Sequence, residues 1–406
     1  MSAVTHSLNC VQYPLSIKNS KQKILKTEPI KILITGDFAP INRVENLCLK
    51  GDFQSIFNDF IDVFQNNHLN IVDLECPLTL AQNTRPKTGP YQKAHPKTIG
   101  ALKYAGISLA AMANNHIMDY NKQGVEDTLS LCNQNGIATV GLGSSIMEAY
   151  KPFSIELQEK NIAILNYDDN EFLSTSDGSY NCNVIDPVNG HYDIANVRQD
   201  HDYVIVIIHA GNEFYYLPSP RTKKLYRYFI DQGADAIISH HAHVLSGYEI
   251  YKGKPIFYGL GNFIYDSPNK TDSDWNRGYV VRLHISERLD FEIIPLKQGN
   301  KQPGVFKLTD KEKDIFNADI QKLNAIIACD DKLEVEFQKY CHSVFPMYDA
   351  FIEPNFGRYI VALQKRAWLP KLLTRKKRLF HLNLSRCESH RDVLLRMLKK
   401  YEKTNK

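Results

Sequence analysis

The sequence predicts an α/β protein built as a layered sandwich, and three observations carry that reading. From residue 31, short apolar runs alternate with longer amphipathic segments, a rhythm that argues for βαβ units and a sheet covered on both faces. From residue 153 strands pair around tight turns, which adds antiparallel hairpins and disfavours an open nucleotide-binding sheet. Finally, polar residues gather at the carboxyl ends of the strands, the edge where open α/β sheets place their sites.

The first strands are KILITGD (31–37) and NIVDLE (70–75), followed by ISLAAMANN (107–115), YVIVIIH (203–209) and ADAIISH (234–240). Each is a β-branched or apolar run of strand length closed by small or polar residues. The segments at 52–67, 95–106 and 121–136 have helical apolar spacing, and Gly136 suits a C-cap. Hairpins are expected over 153–167, 247–260 and 279–296, after which strand signals stop and 308–328 and 391–403 read as helices. The organisation expected is a polar arm over 1–30, the α/β domain over 31–300 and a helical, basic region over 301–406. No internal repeat or low-complexity linker separates them.

The chain has 406 residues, 43% hydrophobic and 23% charged, which is ordinary globular composition. No apolar run approaches the roughly 18 residues of a membrane helix, and residues 1–30 lack the order of a signal peptide. The eight cysteines are scattered with no C-x-x-C pair, so neither a disulfide framework nor a thiolate zinc knuckle is expected. A cytoplasmic location, with contact at the membrane surface, is the simplest fit. Residues 358–406 carry +12, leaving −8 on the rest. Such a segment suits an anionic partner, or forms a solvated helical face whose apolar side packs on the body.

Asp37 ends the first strand, and Asp73 and Glu75 end the second. Asn114, Asn115 and His116 follow the third, with Asp119 close by. His209 ends a fourth, with Glu213 after it, and His240, His241 and His243 follow a fifth. Carboxylate, amide oxygen and imidazole are the ligand set for Mn, Fe, Zn or Mg. In extended chain, residues two apart share a face. That pairs His241 with His243, turns His240 away, and pairs Asp73 with Glu75. Singly each residue has a plain structural reading: a hydrogen-bonded core histidine, an Asx cap, a turn amide. Five strand ends together favour a shared metal site.

ANNHIMDYNKQGVEDTLSLCNQNGIATVGLG (113–143), HAGNE (209–213), SHHAHV (239–244) and YGLGNFIYD (258–266) occur in this order. In these stretches the chain resembles the CapA/PgsA family of bacterial capsule-synthesis proteins, tied to poly-γ-glutamate and related polymers. That family looks like a branch of the calcineurin-like metallophosphoesterases. The resemblance covers about residues 31–300. It implies a four-layer α/β/β/α sandwich with two divalent ions (Mn, Fe, Zn or Mg) at the sheet edge. Asp37 would bind the first ion, Glu75 would bridge, and Asn115 and His209 would bind the second. His241 and His243 would give one imidazole to each. His116 would protonate the leaving group, and Asn262 would lie near the site as a substrate contact. The superfamily's Asp-x-His is absent, since Phe38 and Ala39 follow Asp37. The bridging position holds Glu rather than Asp. The family often carries an N-terminal membrane anchor, and residues 1–30 do not read as one.

Asp119 and Glu213 are candidates to support the ligating imidazoles or to steer His116, and Glu213 equally suits a helix's first turn. Arg85, Lys87 and Lys93 lie in a Gly/Pro-rich loop (82–96), and Arg221, Lys223 and Lys224 follow at 217–229. Both loops are either solvated or in contact with a carboxylate or phosphate. The leading expectation is a metal-dependent hydrolase of capsule or surface-polymer metabolism, cutting a phosphoester or amide-like bond in an anionic polymer or phosphorylated precursor. A non-catalytic component of a polymer-assembly complex is the alternative, its basic tail docked on a membrane surface or synthase. A nucleic-acid phosphodiesterase ranks last, because the tail lacks interleaved aromatics for base stacking.

Overall fold

The computed structural model describes residues 28–87, 89–172, 174–352, 363 and 373–402. Two sheets stack face to face. The first holds the parallel strands β1 (Ile30–Ala39), β2 (Leu69–Leu74), β3 (Leu109–Ala111) and β4 (Ala138–Val140). On its other side β14 (Arg277–Ile285), β15 (Leu289–Gln298) and β16 (Val305–Lys307) add antiparallel pairs, giving the order β16-β15-β14-β1-β2-β3-β4. β13 (Asn262–Tyr265) pairs in parallel with the end of β1. The second sheet runs β11 (Tyr248–Tyr251), β12 (Lys254–Phe257), β10 (Ala236–His240), β9 (Tyr203–His209), β7 (Lys160–Asp168) and β6 (Phe153–Leu157). A two-residue ladder joins β5 (Leu142–Gly143) to β8 (Asn181–Cys182).

Strand periodicity decides which residues meet between the sheets. On β1, Ile30, Ile32 and Ile34 face the second sheet, while Leu33 faces helices. On β9, Ile205 and Ile207 face inward, while Val204, Val206 and Ile208 face outward. Both faces of each sheet are therefore apolar, so each needs cover. The helices Arg43–Lys50, Ile99–Tyr104 and Asn121–Gln134 cover the first sheet with Val44, Leu102 and Val125 among others. The helices Pro187–Asp200 and Pro220–Gln232 cover the second with Ile194, Tyr226 and Phe229. Each such side chain contributes about 1.5–3 kcal/mol by leaving water. The result is the four-layer α/β/β/α sandwich, and the three expected hairpins are β6–β7, β11–β12 and β14–β15.

The sandwich continues past residue 300. β16 extends the first sheet, and the helix Asp310–Ile327 sets Phe316 and Ile320 into the inter-sheet core. The helices Asp330–Ile352, Arg375–Arg386 and Glu388–Glu402 then share a smaller core of Phe337, Cys341, Tyr348, Leu384, Val393 and Met397. The described part of the basic segment thus packs an apolar side on the body. Most of the arm at 1–30, and residues 358–362, 364–372 and 403–406 of the basic segment, lie outside the described residues. Among the described residues no helix is long and apolar enough to cross a membrane.

Candidate metal centre

Four strands deliver polar side chains to one edge between the sheets. On β2 the inner-face alternation runs from Ile71 to Asp73, and Glu75 follows just past the strand. β9 carries Ile205, Ile207 and then His209, and β10 carries Ala236, Ile238 and then His240, the register partner of His209. β1 needs a correction of phase, because its even-numbered residues face inward. A register shift between Ile34 and Asp37 supplies it, so Asp37 reaches the site while Phe38 packs in the outer core. Gly36 permits the neighbouring chain to approach there, since a Cβ would stand 2.0 Å from the Gly261 carbonyl oxygen.

The extended alternation expected across 240–243 does not hold. β10 ends at His240, and His241 (φ 85°) and His243 (φ 57°) adopt left-handed backbone, a conformation that costs about 1–3 kcal/mol and clusters at functional sites. His240 is therefore not turned away, and its Nδ1 lies 3.1 Å from Asp37 Oδ1.

Two groups of donor atoms result. Around Asp37, His243 turns Nε2 inward, 3.6 Å from Glu75 Oε1, while its Nδ1 lies 3.1 Å from Asp37 Oδ2. Around His209, Nε2 lies 3.2 Å from Asn115 Oδ1, 3.1 Å from His241 Nδ1 and 3.9 Å from Glu75 Oε1. The other nitrogen of His209 and of His243 is held from behind by a hydrogen bond, and that of His241 faces a carboxylate at longer range. His209 Nδ1 meets Asp73 Oδ2 at 2.9 Å, His243 Nδ1 meets Asn262 Oδ1 at 3.0 Å, and His241 Nε2 faces Glu171 Oε2 at 3.9 Å. Ligating imidazoles are held in this way, one nitrogen on the ion and the other on an acceptor.

These residues fit a divalent cation. Glu75 is fully buried, and neither of its oxygens has a hydrogen-bond partner. Asp73 Oδ1 is also buried without one. Ligand atoms of Asp37, Asp73, Glu75 and His209 all lie within 4.8 Å of one another. Burial, then the charges of Asp37 and Asp73, push the Glu75 carboxyl well above its usual range. Burial also opposes the charge on Asp37, but His240 and His243 outweigh it and hold that carboxyl low. Burial, then His209, holds His241 neutral. A deprotonated carboxylate and neutral imidazoles are what a cation selects.

His116 sits at the mouth. Its Nδ1 lies 2.7 Å from Asp119 Oδ2 and 3.1 Å from Lys87 Nζ, and Lys87 also pairs with Asp119. Asp119 further accepts from the Gln92 amide at 2.7 Å. Burial, then the Lys87 charge, lowers the His116 pKa to about 4 against the pull of Asp119. Glu213 is exposed at the rim and touches neither His116 nor a ligand nitrogen, so steering His116 falls to Asp119. Two cavities, of about 570 and 470 Å³, meet at His116, Glu213 and Phe214. Lys93 lines the larger, its ammonium 2.6 Å from the Ala81 carbonyl and over the Tyr120 ring.

Two expected substrate contacts are corrected. Arg85 is buried, and its guanidinium is used by the Phe172 and Ser174 carbonyls, so it clasps the loop to the body. Asn262 is fully buried behind His243 and also donates to the His243 and Trp275 carbonyls, so it orients that ring. Four residues enter the site that were not assigned to it: Asp73, His240, Lys87 and Glu171. Asp73 was legible from its shared face with Glu75. Glu171 lies in YDDNEF (167–172), acids at the carboxyl end of β7, the same signal that marks the other strands.

A carboxylate and imidazole centre at the edge of a four-layer α/β/β/α sandwich defines the class. The profile of the family described as bacterial capsule synthesis protein PGA_cap matches residues 31–267, and the chain belongs to that family. It is 28% identical over 296 residues to the PGA biosynthesis protein CapA of Bacillus subtilis (strain 168), covering 71% of this chain and 76% of that one. It is 26% identical over 343 residues to the capsule biosynthesis protein CapA of Bacillus anthracis, covering 77% and 78%. Among solved structures, the calcineurin-like phosphoesterase YfkN from Bacillus subtilis aligns with 76% of this chain and 98% of its own, at 13% identity and a TM-score of 0.35.

Proposed function

We propose that the protein is a dinuclear-metal-dependent hydrolase of capsule or poly-γ-glutamate metabolism, acting on a phosphoester or amide-like bond in an anionic polymer or its precursor. The observation that carries this is Glu75, a fully buried carboxyl with both oxygens unpaired, set between two groups of ligand atoms. Asp37, His243 and Glu75 would hold one ion, and Glu75, Asn115, His209 and His241 the other. When bound, such ions supply Lewis-acid polarisation and a water of lowered pKa. His116 carries the proton to the leaving group, and Asp119 fixes its ring and tautomer through Nδ1. In the free site Lys87 helps keep that ring neutral. An anionic substrate group beside Lys87 offsets its charge and raises the His116 pKa toward the working range. Lys93 lines the adjoining cavity, which also reaches His116, and favours such a substrate. Elemental analysis of protein made without a histidine tag, with a panel of phosphoester and γ-glutamyl substrates, tests the reading. Two divalent ions per chain and turnover of one substrate class are expected, and metal at background sinks it.

A second reading has one observation in its favour. Ala39 stands where the Asp-x-His pattern places a histidine and is fully buried in the core, so the Asp37 group has one imidazole fewer. A polymer-assembly component that binds metal without turnover fits that loss. A His116→Ala variant that supports full polymer production in cells would favour it.

A further inference from the structure

We propose that the paired C-terminal helices complete the metal centre by holding Glu171, which orients Asn115 and His241. The proposal rests on the metal reading above but names residues outside the family match. The helices Arg375–Arg386 and Glu388–Glu402 lie beyond residue 267, where that match ends.

Glu171 is buried, and its two oxygens face opposite ways. Oε1 accepts from Asn383 Nδ2 at 2.6 Å and lies 3.5 Å from His390 Nε2, both on the C-terminal helices. Oε2 accepts from Asn115 Nδ2 at 3.2 Å and lies 3.9 Å from His241 Nε2. An amide that donates through its nitrogen must turn its oxygen the other way, and Asn115 Oδ1 does face His209 Nε2 at 3.2 Å. An imidazole with Nε2 toward a carboxylate turns Nδ1 to the centre, and His241 Nδ1 lies 3.1 Å from His209 Nε2. One carboxylate thus sets the direction of two ligand atoms.

The helices grip the same loop a second time. The amides of Glu388 and Ser389, at the start of the last helix, donate to Asp169 at 3.0 and 3.2 Å. The Tyr348 hydroxyl meets His390 Nδ1 at 2.6 Å, which leaves Nε2 for Glu171. The carboxylates at 169 and 171 are therefore both anchored to the C-terminal unit. Asn383, His390 and Glu171 are positioning residues, because each acts through Asn115 or His241.

The test is Mn²⁺ titration of the full-length, untagged protein by calorimetry, with folding followed by circular dichroism. Asn383→Ala and His390→Ala should each weaken the affinity of one Mn²⁺ site about 10-fold, the scale of losing a partner behind a ligand. His390→Gln, which restores an N–H donor, should recover part of the loss. Met397→Ala thins the same helical core away from Glu171 and should leave affinity within about twofold of wild type. Unchanged affinity in both Asn383→Ala and His390→Ala overturns the proposal, as does an equal loss in Met397→Ala. A wild-type chain that takes none of Mn²⁺, Fe²⁺, Zn²⁺ or Mg²⁺ overturns the metal reading and this proposal together. If the chain loads Mn²⁺ but cleaves nothing in the panel, only the hydrolase reading falls, and the variants still decide the positioning role.

Discussion

The two halves of the candidate centre are built on opposite electrostatic plans. Around Asp37 each carboxylate oxygen meets an imidazole, His240 on one and His243 on the other, both at 3.1 Å. Charge is balanced inside the protein. Around His209, two ring nitrogens and an amide oxygen crowd within 3.2 Å, and neither oxygen of Glu75 has a hydrogen-bond partner. The first half can persist without an ion. The second sets His209 Nε2 against an amide oxygen and a second ring nitrogen, acceptors that must share one Nε2 proton or be met by a cation. On the proposed two-ion reading, the difference teaches where affinity should lie: the tighter ion would belong to His209, and the Asp37 half would answer to the more weakly held one.

The sharpest way to break that comparison is Glu75→Met, because Glu75 faces both halves. Thermal melts with and without Mn²⁺ should lose all cation-induced stabilisation. In chelator, the variant should be more stable than wild type by about 1–3 kcal/mol, since an unpaired buried carboxyl is replaced by an apolar side chain of similar size. A variant still stabilised by Mn²⁺ would remove Glu75 from the centre. Next comes His116→Asn, which separates chemistry from ion binding. It should lower kcat by roughly 10²–10⁴-fold while metal content stays at the wild-type level. Comparing His209→Ala with His243→Ala sharpens the contrast itself. The first should weaken the tighter Mn²⁺ by about 100-fold and the second by nearer 10-fold, and calorimetry showing the reverse order refutes the two-plan account. The smallest effect is Arg85→Ala, which should cost about 1–2 kcal/mol in chemical denaturation by leaving the Phe172 and Ser174 carbonyls without their donor, with Mn²⁺ affinity unmoved.

Legibility in the sequence followed the rules used. Asp37, Glu75 and His209 stand at ends of apolar runs, and strand ends are visible as composition. Glu171 was open to the same rule but sits in YDDNEF, which reads as the turn closing a hairpin. Alternation misplaces His240 because it runs three residues past the end of β10, and the left-handed turn at His241 has no glycine to announce it. Arg85 lies in a Gly/Pro-rich loop, where a cation reads as solvated or substrate-facing. Its burial depends on carbonyls from residues 172 and 174, which no local pattern reveals.

By itself the sequence determined the layered α/β architecture, the strand edge that bears the chemistry and the ligand types, because periodicity and run ends are local properties of the chain. The tertiary structure decided which nitrogen of each imidazole faces the centre, the phase of Asp37 through a bulge, and the grip of Asn383 and His390 on Glu171. Some of those contacts join segments more than two hundred residues apart, and only packing sets their distances and directions.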